Sequence, residues 1–402
     1  MKKRIKILFV YHVSTVGGGS YCLLNILKEL DKSKYEPVVL LREHGPLAEE
    51  LNNMGIKTLT MPNMRTVPYN CSALTPSKTA RAIHIIKSFS TFKKILISEC
   101  PKVVYINSMM LYPYLRVTKR MNNSIGTIIH IREHWEEGSH RIQRGIAISH
   151  IARYADEIIA INRYSASMLE KVGRTVTIVY DWIDLSKRYQ PMPMATIFKE
   201  DCSNLKVFMY MGGLQQIKGA LEVLSSFSKL ERDDYRLLVL GINSEYKTQG
   251  VRSFIKHLLS RIGYPSYSEK VFSLIKSDKR IKCIPGTYYV KDLYDQVYCI
   301  LSYFTIPHAN LSLAESVIEG TVNIAALTPE SLEYSRNGEL AILFEENNLD
   351  SFNAKIREID TLHHIVKSRL RDGAKDIEHL FDTRRNASLL QGVYSKLTND
   401  VK

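Results

Sequence analysis

No stretch of the 402 residues approaches the roughly 20 apolar residues that a membrane-spanning helix needs. The six cysteines, at positions 22, 71, 100, 202, 283 and 299, include no C-x-x-C pair, and most lie among apolar neighbours. That spacing fits reduced, buried thiols better than a disulfide framework. Neither G-x-G-x-x-G nor G-x-x-x-x-G-K-[ST] occurs, so the dinucleotide fingerprint and the P-loop are both excluded. No nucleic-acid reader motif and no dense basic stripe is present, which leaves nucleic acid off the list of expected partners.

What the chain does have is an ordinary globular composition, 45% hydrophobic and 24% charged. Its length suggests two domains of roughly 180–200 residues each. Lys and Arg total 55 against 41 Asp and Glu, a net charge of +14. A solvated basic surface accounts for such an excess, and so does attraction to an anionic substrate or an anionic membrane surface. The start, MKKRIKILFVYHV, places charges before a short apolar run. Because a glycine turn follows at once, it reads as a first β-strand rather than a signal peptide. A cytoplasmic protein, peripheral on the inner face of the membrane at most, is the expectation.

Short β-branched runs alternate with helical periodicity along the whole chain. Ile5–Val10, Glu36–Leu41, Lys57–Thr60, Lys102–Asn107, Thr127–Ile131, Glu157–Ile161 and Val176–Tyr180 read as strands, with helices between them. Ser20 is expected to cap the first of these helices. Residues 185–204 carry two prolines and no clear period, and read as a linker. Alternation then resumes with Lys206–Met211, a helix over Lys218–Leu230, Leu237–Leu240, a mainly helical region over 244–279, Arg280–Ile284, Val297–Ser302, a helix over Leu311–Glu319 and Val322–Ala325. From Leu349 on the chain reads as helical. Such alternation predicts an α/β protein of two doubly wound, Rossmann-like domains facing across a cleft, with a helical C-terminal tail. The domains are expected at 1–184 and 205–370, with a tail at 371–402 packing back toward the first. Ligands of such sheets bind beyond the carboxyl ends of the strands, so the residues just after strands are the candidates.

Four segments qualify. Gly17-Gly18-Gly19 follows the first strand and precedes a helix, where glycine lets a backbone approach a phosphate or sugar closely. A tight strand-to-helix turn explains it equally well. Gly212-Gly213-Leu214 with Lys218-Gly219 repeats the arrangement, and an ammonium at that point can sit over a diphosphate; an ordinary solvated lysine is the plain alternative. In SYFTIPHANLSLAESVIEG, from Ser302 to Gly320, a buried strand leads through Pro307 and Asn310 into a mostly apolar helix. The first-turn amides of Leu311 and Ser312 suit a phosphate, and Glu315, one turn in, suits ribose hydroxyls. A carboxylate on so apolar a helix needs a partner. The fourth segment, IIHIREHWEEGSH, contains His130-x-x-Glu133-His134, which matches an inverted zinc-protease motif only in letters. That motif needs a helix, whereas these residues continue a strand whose side chains alternate faces. Arg132, Glu133 and His134 instead lie where a sugar or acceptor would be contacted. His12, after the first strand, is a similar candidate.

Together these segments resemble the retaining, GT-B-fold glycosyltransferases of sequence family 4 over nearly the whole chain. The marks are KILFVYHVSTVGGGS, ADEIIAINRYSASML, VTIVYDWIDL, MYMGGLQQIKGALEVL, LLVLG and NLSLAESVIEGTVNIAA. The resemblance implies transfer of a sugar from a nucleotide-sugar donor to a saccharide or lipid-linked acceptor, with retention of configuration, in bacterial surface-polysaccharide assembly. It implies a UDP-sugar in preference to a GDP-sugar, no separate cofactor and no dedicated metal. Donor contacts fall to Gly18, Gly19, Gly212, Gly213, Lys218, Asn310, Leu311, Ser312 and Glu315. Acceptor contacts fall to His12, Arg132 and His134, with Lys218 and Glu133 serving the chemistry. Two positions depart from the family pattern. Gly213 stands where the family has an arginine, and Pro307 where it has an acid; Arg163 and Lys291 are candidate substitute cations. These departures keep open two alternatives, a non-catalytic relative acting as a binding or scaffold subunit and a nucleotide-sugar epimerase.

Overall fold

The computed structural model describes residues 4–15, 17–67, 76–135, 141–183, 192–242, 265–286, 290–306 and 309–399, with side chains of the 76–135 stretch from Ile83 onward. The chain divides into two compact units, Met1–Ile183 with Phe381–Lys402, and Asp184–Leu380. Pro307, Cys71 and the 244–264 part of the region expected to be helical fall outside the described residues.

The first unit runs β1 (Ile5–Val10), α1 (Gly18–Lys28), β2 (Tyr35–Leu41), α2 (Pro46–Asn53), β3 (Lys57–Thr60), α3 (Pro76–Glu99), β4 (Val103–Ile106), α4 (Pro113–Met121), β5 (Gly126–Ile131), α5 (Arg141–Tyr154), β6 (Glu157–Ala160), α6 (Arg163–Glu170) and β7 (Thr177–Ile178). All pairings are parallel, in the order β3-β2-β1-β4-β5-β6-β7. Helices cover both faces, so the central strands read as apolar runs (ILFV, VVYI, GTIIHI) rather than alternating ones. Phe9, Tyr105 and Ile128 pack toward α1 and α2, while Val10, Ile106 and Ile129 pack toward α3, α4 and α5.

The second unit runs α7 (Met194–Phe198), β8 (Lys206–Tyr210), α8 (Ala220–Ser228), β9 (Tyr235–Leu240), α9 (Tyr267–Ser277), β10 (Ile281–Ile284), α10 (Lys291–Tyr294), β11 (Cys299–Ser302), α11 (Leu311–Ile318), β12 (Val322–Ala326), α12 (Pro329–Tyr334), β13 (Ile342–Phe344), α13 (Leu349–Arg357) and α14 (Ile359–Phe381). Its sheet is again parallel, ordered β10-β9-β8-β11-β12-β13. Within the 185–204 stretch, α7 buries Met194 and Phe198 against this unit's core. A last helix, α15 (Thr383–Asn399), buries Leu390, Val393 and Tyr394 in the core of the first unit.

Three local expectations need correction. Ser20 does not cap α1: the helix starts at Gly18 with Gly17 as its cap, and the Ser20 hydroxyl donates to the Thr15 carbonyl at 2.7 Å. The helix expected from Lys218 starts at Ala220, because Gly219 at φ +68° ends a 3-10 turn over Gln216–Lys218 before α8 begins. The sequence reading also passed over α12 and β13, whose lengths of six and three residues give too little period to register.

Candidate functional site

In the second unit the strand order reverses between β8 and β11, which is where ligands of doubly wound sheets bind. The loop after β8 is drawn down onto the end of β11. Tyr210, the last residue of β8, lies beneath it and donates from its hydroxyl to the carbonyls of Lys218 at 3.1 Å and Gly213 at 3.4 Å. A side chain at Gly212 would overlap the Tyr210 ring, and one at Gly219 would overlap the Tyr303 carbonyl. The Ile217 carbonyl accepts from Thr305 N–H at 3.0 Å and closes the seam. Gly213 adopts φ +57°, the left-handed region that favours glycine. So the position at which the resemblance leads one to expect an arginine has a backbone conformation in which a larger side chain is strained.

This loop carries Lys218 into a half-buried position within the field of Glu315. Burial pulls the Lys218 ammonium below its usual range, and the Glu315 charge opposes that shift. Glu315 projects from α11, and its Oε2 accepts from the buried Tyr294 hydroxyl at 2.7 Å. Burial pushes the Glu315 carboxyl up to about 7; the Tyr294 hydrogen bond lowers it, Glu319 raises it and Lys218 lowers it. Asn310 caps α11 by accepting from Leu313 N–H at 3.1 Å, and its Oδ1 also receives the Ser312 hydroxyl at 2.6 Å. The first-turn amides of Leu311 and Ser312 are left without intrahelical acceptors. Lys218, Asn310, Leu311, Ser312 and Glu315 therefore gather at the carboxyl ends of β8 and β11. Lys291 forms an ion pair with Glu319 at 3.4 Å. Tyr294 was not visible to sequence reasoning, because only the fold brings it beneath the residue at 315.

In the first unit the reversal falls between β1 and β4. Gly17 and Gly18 have open space where a side chain would stand, whereas one at Gly19 would lie 2.7 Å from the Tyr11 hydroxyl. Arg132, just past β5, is held by both oxygens of Asp181 through its Nη2, at 2.8 and 2.7 Å, and its Nε lies 3.7 Å from the same Gly19 position. Burial works against the Arg132 charge, but Asp181 keeps it in place. Glu133 points elsewhere. Its Oε1 accepts from the Ser108 hydroxyl at 2.5 Å and its Oε2 from Met109 N–H at 2.9 Å, so it holds the turn after β4. His134 stacks on Tyr164 with ring centroids 3.5 Å apart. Burial lowers both His12 and His134 to about 4, so both imidazoles are neutral at physiological pH. The three residues of the zinc-like motif diverge: His130 Nδ1 lies 2.7 Å from the Tyr105 hydroxyl within the sheet, Glu133 caps a turn and His134 stacks.

Sequence reasoning missed Asn107. It lies at the end of β4, is fully buried, and both polar atoms of its side chain lack partners among the described residues. By register it stands beside Tyr11 and His130, and Arg132 Nη1 and His130 Nε2 are unpartnered too. A lone asparagine after a strand gives no sequence signal; only the parallel pairing puts it in this group.

The fold itself is shared with known proteins. A family model described as Glycosyltransferase Family 4 matches residues 16–187. No curated protein sequence matches the chain. Anabaena HepE, solved with UDP and glucose, superposes with a TM-score of 0.72 at 14% identity, over 98% of this chain and 100% of that one. Sucrose-phosphate synthase from Thermosynechococcus elongatus gives 0.68 at 13%, over 99% and 100%. A glycosyltransferase from Rickettsia africae gives 0.67 at 16%, over 98% and 99%. Two parallel sheets with alternating helices and a C-terminal helix, as the sequence predicts, are thus the architecture of solved GT-B glycosyltransferases.

Proposed function

We propose that this GT-B-fold chain is a retaining glycosyltransferase that moves a sugar from a UDP-sugar to a saccharide or lipid-linked acceptor in surface-polysaccharide assembly. The observation that carries the reading is the grouping of Lys218, the α11 amides and Glu315 at the strand reversal of the second unit. In it, Glu315 accepts from the ribose hydroxyls, and Lys218 with the Leu311 and Ser312 amides faces the diphosphate. As the glycosidic bond to UDP breaks, negative charge grows on the leaving phosphate. A fixed ammonium and helix amides stabilise that charge without reorganising. His12, Arg132 and His134 of the first unit serve the acceptor, and Gly18 and Gly19 serve the donor. Neutral histidines there act as hydrogen-bonding groups for hydroxyls. The hydrogen bonds that Glu133 makes support a positioning role, holding the turn after β4, more than a direct chemical one.

HepE was solved with UDP and glucose, which supports the choice of nucleotide. Calorimetry with UDP, UDP-glucose and GDP-mannose tests it. The reading expects UDP compounds to bind and Glu315→Ala to weaken them; unchanged affinity in that variant would remove the ribose contact. A second reading, a non-catalytic binding subunit, draws on Gly213, whose left-handed backbone leaves the diphosphate one cation short of the family pattern. Turnover of any nucleotide-sugar by the purified protein rejects it.

A further inference from the structure

The net charge of +14 is not spread evenly over the fold. Helices α3, α4 and α5 contain 11 Lys and Arg (78, 81, 87, 93, 94, 116, 119, 120, 141, 144 and 153) and one acid, Glu99, a balance of +10. Glu99 is buried and already paired with Lys57 at 2.7 Å and Lys6 at 3.2 Å. The helices on the opposite face of the same sheet, α1, α2 and α15, hold four Lys and Arg (28, 384, 385 and 396) against two acids, Glu49 and Glu50, a balance of +2.

The three basic helices form one layer. α4 and α5 connect neighbouring strands and α3 crosses from β3 to β4; residues of all three share one core cluster on the same side of the sheet, and α4 packs on both α3 and α5. On α3, Ile85, Ser88, Phe92, Leu96 and Glu99 are buried. The outward stripe runs Ile83, Ile86, Ser90, Lys93, Lys94 and Ile97, at helical spacing, with Lys87 beside it. Ile83 is 49% exposed, Ile86 64% and Ile97 62%. On α5, Ile142 is 82% and Ile146 54% exposed, one turn apart. Among the described residues, five of the ten exposed large apolar side chains belong to this one layer.

We propose that this layer is a docking face for an anionic bilayer surface, with α3 lying in the interface. A solvated surface explains the lysines but not isoleucines recurring along the same outward stripe. A bilayer of anionic lipid meets both features: diffuse negative charge for the cations, and a shallow apolar layer for the isoleucines. Either feature alone gives weak binding, and their coincidence on one face is what anchors a chain in which no helix among the described residues is long and apolar enough to cross a bilayer. The inference concerns helices of the first unit, whereas Lys218, the α11 amides and Glu315 belong to the second, so UDP binding and membrane binding can fail separately.

The test is sedimentation of the full-length protein with phosphatidylcholine vesicles, with and without phosphatidylglycerol. Binding is expected only where phosphatidylglycerol is present, and is lost as salt rises from about 0.1 to about 1 M and the Debye length falls from about 10 to about 3 Å. Lys87→Glu/Lys93→Glu/Lys94→Glu is expected to reduce partitioning at least about tenfold, and Ile83→Ser/Ile86→Ser/Ile97→Ser by a similar factor with the charge intact. Lys229→Glu/Lys276→Glu/Lys279→Glu makes the same charge change on exposed positions of the second unit and is expected to leave partitioning nearly unchanged. All three variants alter exposed side chains, and an unchanged thermal melt checks that each is folded. Equal losses from the α3 and second-unit lysine variants would overturn the proposal in favour of diffuse attraction. Absence of binding to the phosphatidylglycerol vesicles at low salt would also overturn it. So would a dimer, seen by light scattering, that the isoleucine variant disperses without changing vesicle binding.

Discussion

The Tyr294 hydroxyl donates to Glu315 Oε2 at 2.7 Å, and it is the leading influence that keeps this half-buried carboxyl from rising above about 7. A hydrogen bond to the charged form favours that form. Tyr294→Phe is therefore expected to move the Glu315 midpoint upward. Ribose hydroxyls bind the carboxylate rather than the acid, so UDP-glucose affinity should rise with pH through about 7 in the natural chain and through a higher midpoint in the variant. UDP-glucose is the right probe because its diphosphate does not titrate there. Calorimetry across this range measures it, and identical midpoints would break the link between Tyr294 and the proposed ribose contact of Glu315.

Lys218→Ala is expected to weaken UDP while sparing uridine. A hydrogen bond to a charged group contributes about 1.5–3 kcal/mol, or roughly 10–100-fold in affinity. Equal losses for uridine and UDP would mean that Lys218 supports the loop rather than the diphosphate.

Glu330, at 2% exposure, is a second carboxyl that burial raises to about 7. Its own backbone N–H and Thr328 lower it, while Glu346 and Glu333 raise it. The sign follows from proton counting. Between the unfolded value near 4.5 and the folded value near 7, the folded state holds the extra proton, so this group's contribution to stability falls as pH rises. Glu330→Gln should therefore stabilise the second unit by roughly 1–3 kcal/mol above pH about 7 and by little below about 4.5. Thermal melts at both ends measure the difference, and a gain that does not depend on pH would contradict it.

Gly219 and Gly173 both have left-handed backbones, at φ +68° and +77°. Alanine at either incurs strain of about 1–2 kcal/mol. Only at Gly219 would the new methyl overlap the Tyr303 carbonyl, while at Gly173 it would meet nothing. Gly219→Ala should thus destabilise by at least about 1 kcal/mol more than Gly173→Ala, and should weaken UDP by displacing Lys218. Equal melting temperatures would show that the seam between the 212–219 loop and Tyr303 yields easily.

Much of this was legible in the chain itself. A strand buried on both faces must be apolar throughout, so ILFV, VVYI and LLVL announce a covered parallel sheet wherever they occur. The glycines at 212, 213 and 219 and the apolar helix bearing Glu315 likewise mark the loop and helix that meet in the second unit. These are local constraints of backbone and periodicity, which a sequence carries in full. What depends on contacts between distant residues was not legible. By sequence Glu133 reads as a cleft acid, whereas in the fold it accepts from Ser108 and Met109; Asn107 gains its setting only because β1 and β5 stand on either side of β4. The charge of +14 was countable, but its meaning was not. Only the crossover connections of a parallel sheet collect α3, α4 and α5 on one face, and so turn scattered lysines and isoleucines into a surface.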